Sequence, residues 1–165
     1  MAGGVTAARQ LDAAHAEFIQ GGVSVIVASR NAARVPDAVR GCGCRVSRDR
    51  RRVTVLVDRG RAGTLLDDVA GNGMIAVVFS QPSTHRTIQL KGADAVLVAA
   101  RPADRTLVAT HREDWIAELM RIGYSREFAE AFWGPLPASL AAVAFTPTAA
   151  FQQTPGPAAG QPLER

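Results

Sequence analysis

The stretch His85-Arg86-Thr87-Ile88-Gln89-Leu90-Lys91-Gly92 decides how the rest of the chain is read. A side-chain period of two sets Thr87, Gln89 and Lys91 on one face of a strand, and Ile88 and Leu90, headed by Arg86, on the other. One face reads as core and the other as a site. Gly92 interrupts the alternation before Ala95-Val96-Leu97-Val98 resumes it, as a bulge or a close backbone approach does. The stretch predicts one long bent strand at the centre of a barrel.

Working outward, Met74 to Phe79 is an apolar strand and Ser80-Gln81-Pro82-Ser83-Thr84 a polar turn, so the two runs form a hairpin. Upstream, Leu11, Ala14, His15, Phe18 and Ile19 recur at helical spacing within Thr6 to Gln20, and Gly21-Gly22 stops that helix. Val23 to Val27 is a strand. Ala38 to Val46 alternates so that Gly41 and Gly43 share a face with Val39 and Arg45, while Cys42 and Cys44 share the other with Arg40 and Val46. Two glycines on one face fit either a flat or bulky neighbour or a bulged barrel corner. An arginine-rich turn then leads to Val53-Thr54-Val55-Leu56-Val57, the partner of a first hairpin. A short helix follows with Thr64 as N-cap and Gly71-Asn72-Gly73 as terminator.

Downstream, Thr110-His111-Arg112-Glu113 has capping-box spacing ahead of Trp115, Ile116, Leu119, Met120 and Ile122. Ser125 starts another helix through Phe128 and Phe132, Leu140 to Phe145 is the last strand, and the tail 155–165 is expected to be flexible. Hairpins rather than βαβ units predict an α+β fold, a six-stranded antiparallel split β-barrel with flanking helices. The whole chain, 1–165, reads as one domain with its core at about 11–154.

The 165 residues are 47% hydrophobic, enough for a core without metals or disulfides. No apolar run has the length of a membrane span, and Met1 to Gln10 does not read as a signal peptide, so a cytoplasmic protein is expected. Cys42 and Cys44 read as reduced thiols, and His15, His85 and His111 do not complete a zinc site with them. Of the 19 basic residues only Lys91 is not arginine. The cluster Arg45, Arg48, Arg50, Arg51 and Arg52 reads as a solvated turn, and without interleaved aromatics nucleic-acid binding is not expected. Arg61, just before the middle helix, is either an anion ligand or a surface arginine.

The order of elements, with the hairpin Ala76-Val77-Val78-Phe79-Ser80 to Arg86-Thr87-Ile88-Gln89-Leu90-Lys91-Gly92, resembles the pyridoxamine 5'-phosphate oxidase-like family of FMN-binding split β-barrels across about Ala13 to Thr154. The resemblance implies a homodimer holding FMN in clefts between subunits, with haem or a deazaflavin in the same place in some relatives. It implies that Arg40, Arg45 and Arg61 hold the FMN phosphate, and that Arg86, Thr87, Gln89 and Lys91 line the rest of the cofactor site. The spacing of Arg40 and Arg45 matches the family only with a one-residue slip, and Thr87 stands where the family has glutamine. No residue of Phe151 to Gly160 matches those that recognise pyridoxamine phosphate, so the vitamin B6 oxidase activity is not expected. The function implied is a flavin-dependent oxidoreductase of unknown substrate. The alternative is a non-catalytic dimeric module for another cofactor such as haem, with His85 and His111 as the available iron ligands.

Overall fold

A computed structural model describes residues 10–163. The reading of Met1 to Gln10 as no signal peptide, and the start of the first helix at Thr6, lie outside or at the edge of the described residues. The chain is α+β. Its strands are β1 (Ser24–Arg30), β2 (Pro36–Val46), β3 (Val53–Asp58), β4 (Ile75–Ser80), β5 (Thr87–Gly92), β6 (Val96–Val98), β7 (Leu140–Phe145) and β8 (Ala149–Gln152). Its helices are α1 (Ala13–Gln20), α2 (Leu65–Asn72), α3 (Pro102–Arg121) and α4 (Arg126–Trp133). Among the described residues no helix is long and apolar enough to cross a membrane.

All strands pair antiparallel in one sheet of order β6-β7-β3-β2-β1-β4-β5-β8. Among the described residues eight strands replace the six expected, and β6 and β8 at the two ends are not paired with each other, so hydrogen bonds do not close a barrel. The extra strands come from two places. The long bent strand is in fact two, since β5 pairs with β4 and β8 whereas β6 crosses to pair with β7 at the far end. And Ala149–Gln152, which reads as the approach to a tail, is a strand on β5.

Gly92 is where the crossing begins. A Cβ there would lie 2.8 Å from Phe145 Cδ2 and 2.9 Å from the Thr146 carbonyl oxygen, so only glycine lets β5 meet the end of β7 this closely. The tail does not leave the fold at Pro155 either. Gln152 N–H donates to Gln161 O, Leu163 N–H donates to Ala150 O, and Phe151 bridges Pro162.

Strand β2 belongs to both halves of the sheet. Pro36 to Arg40 pair with β1, and Gly41 to Val46 pair with β3. Between them the register shifts at Gly41 and Cys44, with Gly43 at φ +125°. An inserted residue sends two successive side chains to one face. Gly41 faces Val25 and Cys44 packs in the main core, its thiol donating to Ile19 O at 3.1 Å. Cys42 and Gly43 face outward, toward α3. The cysteines therefore do not share a face, contrary to their two-residue spacing, and neither do Gly41 and Gly43.

The main core fills the concave side of the curled sheet with Val25, Val27, Val53, Val55, Val57, Val77, Phe79, Ile88, Leu90, Val143 and Phe145, capped by Leu11, Ala16 and Ile19 of the α1 region. Asp12 caps α1 by accepting from His15 N–H at 2.6 Å, and the His15 ring turns back onto the same carboxylate at 2.8 Å. A second cluster lies outside the sheet, where Val108, Trp115, Ile116, Leu119, Ala129 and Trp133 of α3 and α4 cover Cys42, Leu56 and Ala142. Each large aliphatic or aromatic side chain so buried contributes roughly 1.5–3 kcal/mol, enough to fix these helices on the sheet.

Helix α3 starts at Pro102, not at the Thr110 capping box. Arg101 N–H donates to Asp104 Oδ2 at 2.8 Å and proline occupies the first helical position. Its far end is tied to the β4–β5 turn through buried Glu118, which accepts from Gln81 Nε2, Ser83 N–H, Ser83 Oγ and Arg121 Nη1.

Candidate functional site

The sheet has two outer faces with different fates. Around β3 and β7 the outer face is under α3 and α4. Around β1, β4 and β5 no element among the described residues covers it. The pairing sets Arg40, Ile26, Val78, Gln89 and Phe151 side by side across five strands, and Ala38, Ala28, Ala76, Lys91 and Ala149 beside them. Ile26 is 41% exposed while its neighbours Val25 and Val27 are buried, which fixes this row as the outer one. The period-two reading of the opening stretch holds residue by residue. Ile88, Leu90 and Gly92 are buried, and Thr87, Gln89 and Lys91 face outward.

Arg40 ends that row and begins a cavity. Its guanidinium lies 4.9 Å from the Phe132 ring centroid and 5.7 Å from that of Trp115, and Nη1 donates to Phe132 O at 3.3 Å. Burial lowers its pKa from the ordinary arginine value, and nearby Arg61 lowers it further. A cavity of about 210 Å³ next to it is lined by Arg40, Arg61, Asp58, Cys42, Trp133 and Pro137 among others. Asp58 caps the single 3-10 turn Arg59–Arg61 by accepting from Gly60 N–H at 2.9 Å, and its other oxygen is 3.7 Å from Arg61 Nε. The Arg61 side chain is otherwise open to solvent. The Cys42 thiol in this wall is pushed up to about 11 by burial, which keeps it protonated and unreactive. Cys44 is pushed up further by complete burial.

The predicted phosphate ligands thus part company. Arg40 and Arg61 meet at one cavity. Arg45 does not join them, because the outward pair Cys42 and Gly43 intervenes and its Nε bonds Asp104 Oδ1 at 3.0 Å and its Nη1 bonds Thr54 Oγ1 at 3.0 Å. Arg86 lies over the Phe18 ring at 4.2 Å, on the α1 side of β5, away from Gln89 and Lys91. Thr87 Oγ1 is 2.7 Å from Ser80 Oγ, a cross-strand contact, and Lys91 Nζ is 5.1 Å from the Phe151 ring. Gln89 makes no side-chain hydrogen bond among the described residues and stands half-buried on the open face.

The two histidines differ as well. His85 is exposed in the β4–β5 turn at φ +59°. His111 is not in a first helical turn but in the middle of α3. It is 4% exposed, held by the Gly21 backbone, with Nδ1 unpartnered and the ring against Gly43. Burial drives its pKa down to about 4, so it is neutral at pH 7, and it is not available as an iron ligand without opening the α3 contact.

Sequence reasoning passed over an aromatic stack. Tyr124, Phe128 and Phe132 lie in file with centroids 4.8 and 6.0 Å apart, and Phe132 stacks on Trp115 at 5.8 Å, directly beside Arg40. The signal was present in the four-residue spacing of the three rings, which reads equally as a buried stripe.

No family profile matches the chain, and no curated protein matches it in sequence. Solved structures match it in fold. The HupZ protein of Group A Streptococcus aligns with a TM-score of 0.55 at 14% identity, over 92% of this chain and 100% of that one. A protein assigned provisionally as a pyridoxamine 5'-phosphate oxidase from Lactobacillus delbrueckii aligns at 0.52 and 12% identity, over 86% and 93%. An F420 reductase aligns at 0.50 and 10% identity, over 81% and 93%. Likeness at these identities establishes the fold, which is that of the pyridoxamine 5'-phosphate oxidase-like proteins.

Proposed function

From the pyridoxamine 5'-phosphate oxidase-like fold, we propose that this chain is a homodimeric flavin-binding split-barrel protein, an FMN-dependent oxidoreductase whose substrate is a small molecule. The observation that carries the reading is the meeting of Arg40 and Arg61 at one cavity, at the end of an uncovered sheet face that also bears Gln89 and Lys91.

The residues fit the cofactor. Two guanidiniums beside one cavity suit a phosphate dianion through charge-assisted hydrogen bonds. The single carboxylate there, Asp58, is engaged in capping Gly60. The row from Arg40 to Gln89 spans three strand spacings, about 14 Å, so a phosphate anchor and a ring-facing amide belong to one surface. Bound FMN would supply the electron transfer, and the protein supplies orientation and charge. Lys91 places a cation on the ring side, and the apolar floor of Ile26, Ala28, Ala76 and Val78 excludes water once a second subunit covers it. Arg45 and Arg86 are engaged elsewhere and take no part in this reading.

Purified protein mixed with FMN and desalted is expected to keep a flavin absorption spectrum, and Arg40→Gln/Arg61→Gln is expected to lose it. No retained flavin in the unmodified protein would sink the proposal. Sedimentation velocity tests the dimer directly, and a monomer at micromolar concentration would count against it. In the haem alternative, exposed His85 remains as the accessible ligand. A Soret band on haem titration that disappears in His85→Ala, with no flavin retention, would favour that reading instead.

A further inference from the structure

We propose that a second cavity, bounded by Arg45, Ser47, Arg52, Thr54 and Arg101, is an anion site that takes the phosphate group of a small phosphorylated molecule. It has about 220 Å³ of space, and its floor is the outer face of β7 and β6 at Ala144 and Val98. Arg45 lies five positions beyond Arg40 on β2, roughly 15 Å along the strand, so this is a different place from the Arg40 and Arg61 cavity.

Three features give the site its chemistry. First, Arg45 is held in one orientation. Asp104, almost fully buried, accepts from Nε at 3.0 Å, and Thr54 Oγ1 accepts from Nη1 at 3.0 Å. Those bonds occupy two of the five guanidinium N–H donors expected of an arginine, and the remainder are left for a ligand. A pre-oriented guanidinium loses less freedom on binding than a mobile one. Second, Arg101 has no side-chain partner among the described residues, and Arg52 has only exposed Asp94 at 3.7 Å. Two further cations therefore face the cavity without strong pairing. Third, buried Thr54 lines the wall with a hydroxyl that accepts from Arg45 Nη1 and keeps its own proton to donate, whereas the Ser47 hydroxyl already donates to Asp49 Oδ1. The adverse charges are Asp104, which is paired with Arg45, Asp94, which is exposed and 3.7 Å from Arg52 Nη1, and exposed Asp49, which accepts from Ser47 Oγ.

The concave shape selects a compact group. Arg48 and Arg51, the exposed arginines of the same turn, do not line the cavity, so the site does not extend into the track that a nucleic-acid backbone needs. Several donors converging from three arginines suit a tetrahedral dianion better than a monoanion.

The inference does not rest on the flavin reading, and one experiment keeps the two apart. The full chain is titrated calorimetrically with inorganic pyrophosphate at constant ionic strength. Binding is expected, and in the Arg40→Gln/Arg61→Gln background, which removes the other guanidinium pair, adding Arg52→Gln/Arg101→Gln is expected to weaken it at least ten-fold whereas adding Arg48→Gln/Arg51→Gln leaves it unchanged. Thermal melting checks that each variant is folded. Should the variant with Arg52→Gln/Arg101→Gln melt early, adding Arg101→Gln alone is expected to weaken binding at least three-fold. No heat at millimolar pyrophosphate overturns the proposal, as does full affinity in the Arg101 variant. It is equally overturned by loss in the Arg48 and Arg51 variant, or by a DNA oligonucleotide that outcompetes pyrophosphate at equal phosphate concentration.

Discussion

The two outer faces of the sheet are built from similar residues and end up in opposite states. Around β3 and β7, Cys42, Leu56 and Ala142 are sealed by α3 and α4. Around β1, β4 and β5, Ile26 is exposed and Ala28, Ala76 and Val78 are half-buried, with no described helix over them. Composition does not separate these faces, since both are small and apolar. What separates them is β2, whose bulge at Gly41 to Cys44 turns the second half of the strand toward α3 and leaves the first half with the open face. One inserted residue divides the molecule into a finished side and an unfinished one.

The comparison can be broken in four ways, and the largest effect is expected on the sealed face. Ile116→Ala empties a fully buried position under α3 and is expected to cost about 3 to 4 kcal/mol in urea unfolding. A loss below about 1 kcal/mol would mean that the helices are not structurally committed to the sheet.

Next comes the pH dependence of the same contact. Neutral His111 is favoured in the fold, where it titrates at about 4 against an ordinary 6.5. The unfolded chain therefore binds the extra proton first as pH falls. The stabilisation is complete above about pH 6.5 and declines as pH drops toward 4, by a total on the order of 3 kcal/mol. His111→Leu is expected to flatten that part of the pH–stability profile. An unchanged slope would place the acid sensitivity elsewhere.

A smaller loss, about 2 kcal/mol, is expected for Gly43→Ala. Its φ of +125° strains any L side chain, and the new Cβ would sit 3.0 Å from Leu107 Cδ2 and 3.2 Å from the His111 ring. Thermal unfolding reads this directly, and a neutral result would show that the bulge relaxes freely.

The smallest effect on the fold is expected on the open face. Ile26→Glu adds a charge where no described element packs, and should change the stability of the isolated subunit by less than about 0.5 kcal/mol. Sedimentation should nevertheless show loss of the homodimer proposed above. If the subunit itself unfolds instead, the face is not open in the way described.

Local pattern made part of this legible. The alternation of Thr87 to Gly92, the Ser125 cap of α4, whose Oγ accepts from Phe128 N–H at 3.1 Å, and both main hairpins follow from neighbours in sequence. Contacts between distant residues did not. The partner of Arg45 is Asp104, 59 residues away, and nothing in the spacing of Arg40 and Arg45 announces it. The bulge hid for a related reason, because a period of two counts residues and cannot register one that the partner strand skips. The start of α3 was readable in Arg101-Pro102-Ala103-Asp104, with proline at the first position and an acid in the first turn, but the apolar run further on drew the boundary to Thr110. Of the residues expected to hold a cofactor, Arg40 and Arg61 converge although they lie on different elements, whereas Arg86 was drawn to the α1 side by its own alternation.

The place of β7 has a consequence for synthesis. Asp58 of β3 pairs with Leu140, 82 residues later, and until β7 emerges from the ribosome the Val53-Thr54-Val55-Leu56-Val57 edge has no partner on that side. At about 5–20 residues per second that interval is on the order of ten seconds. A β-rich apolar edge exposed for so long is a template for wrong pairing with other nascent chains. The nascent protein therefore has a defined window of vulnerability, which closes with the arrival of β7, one short strand.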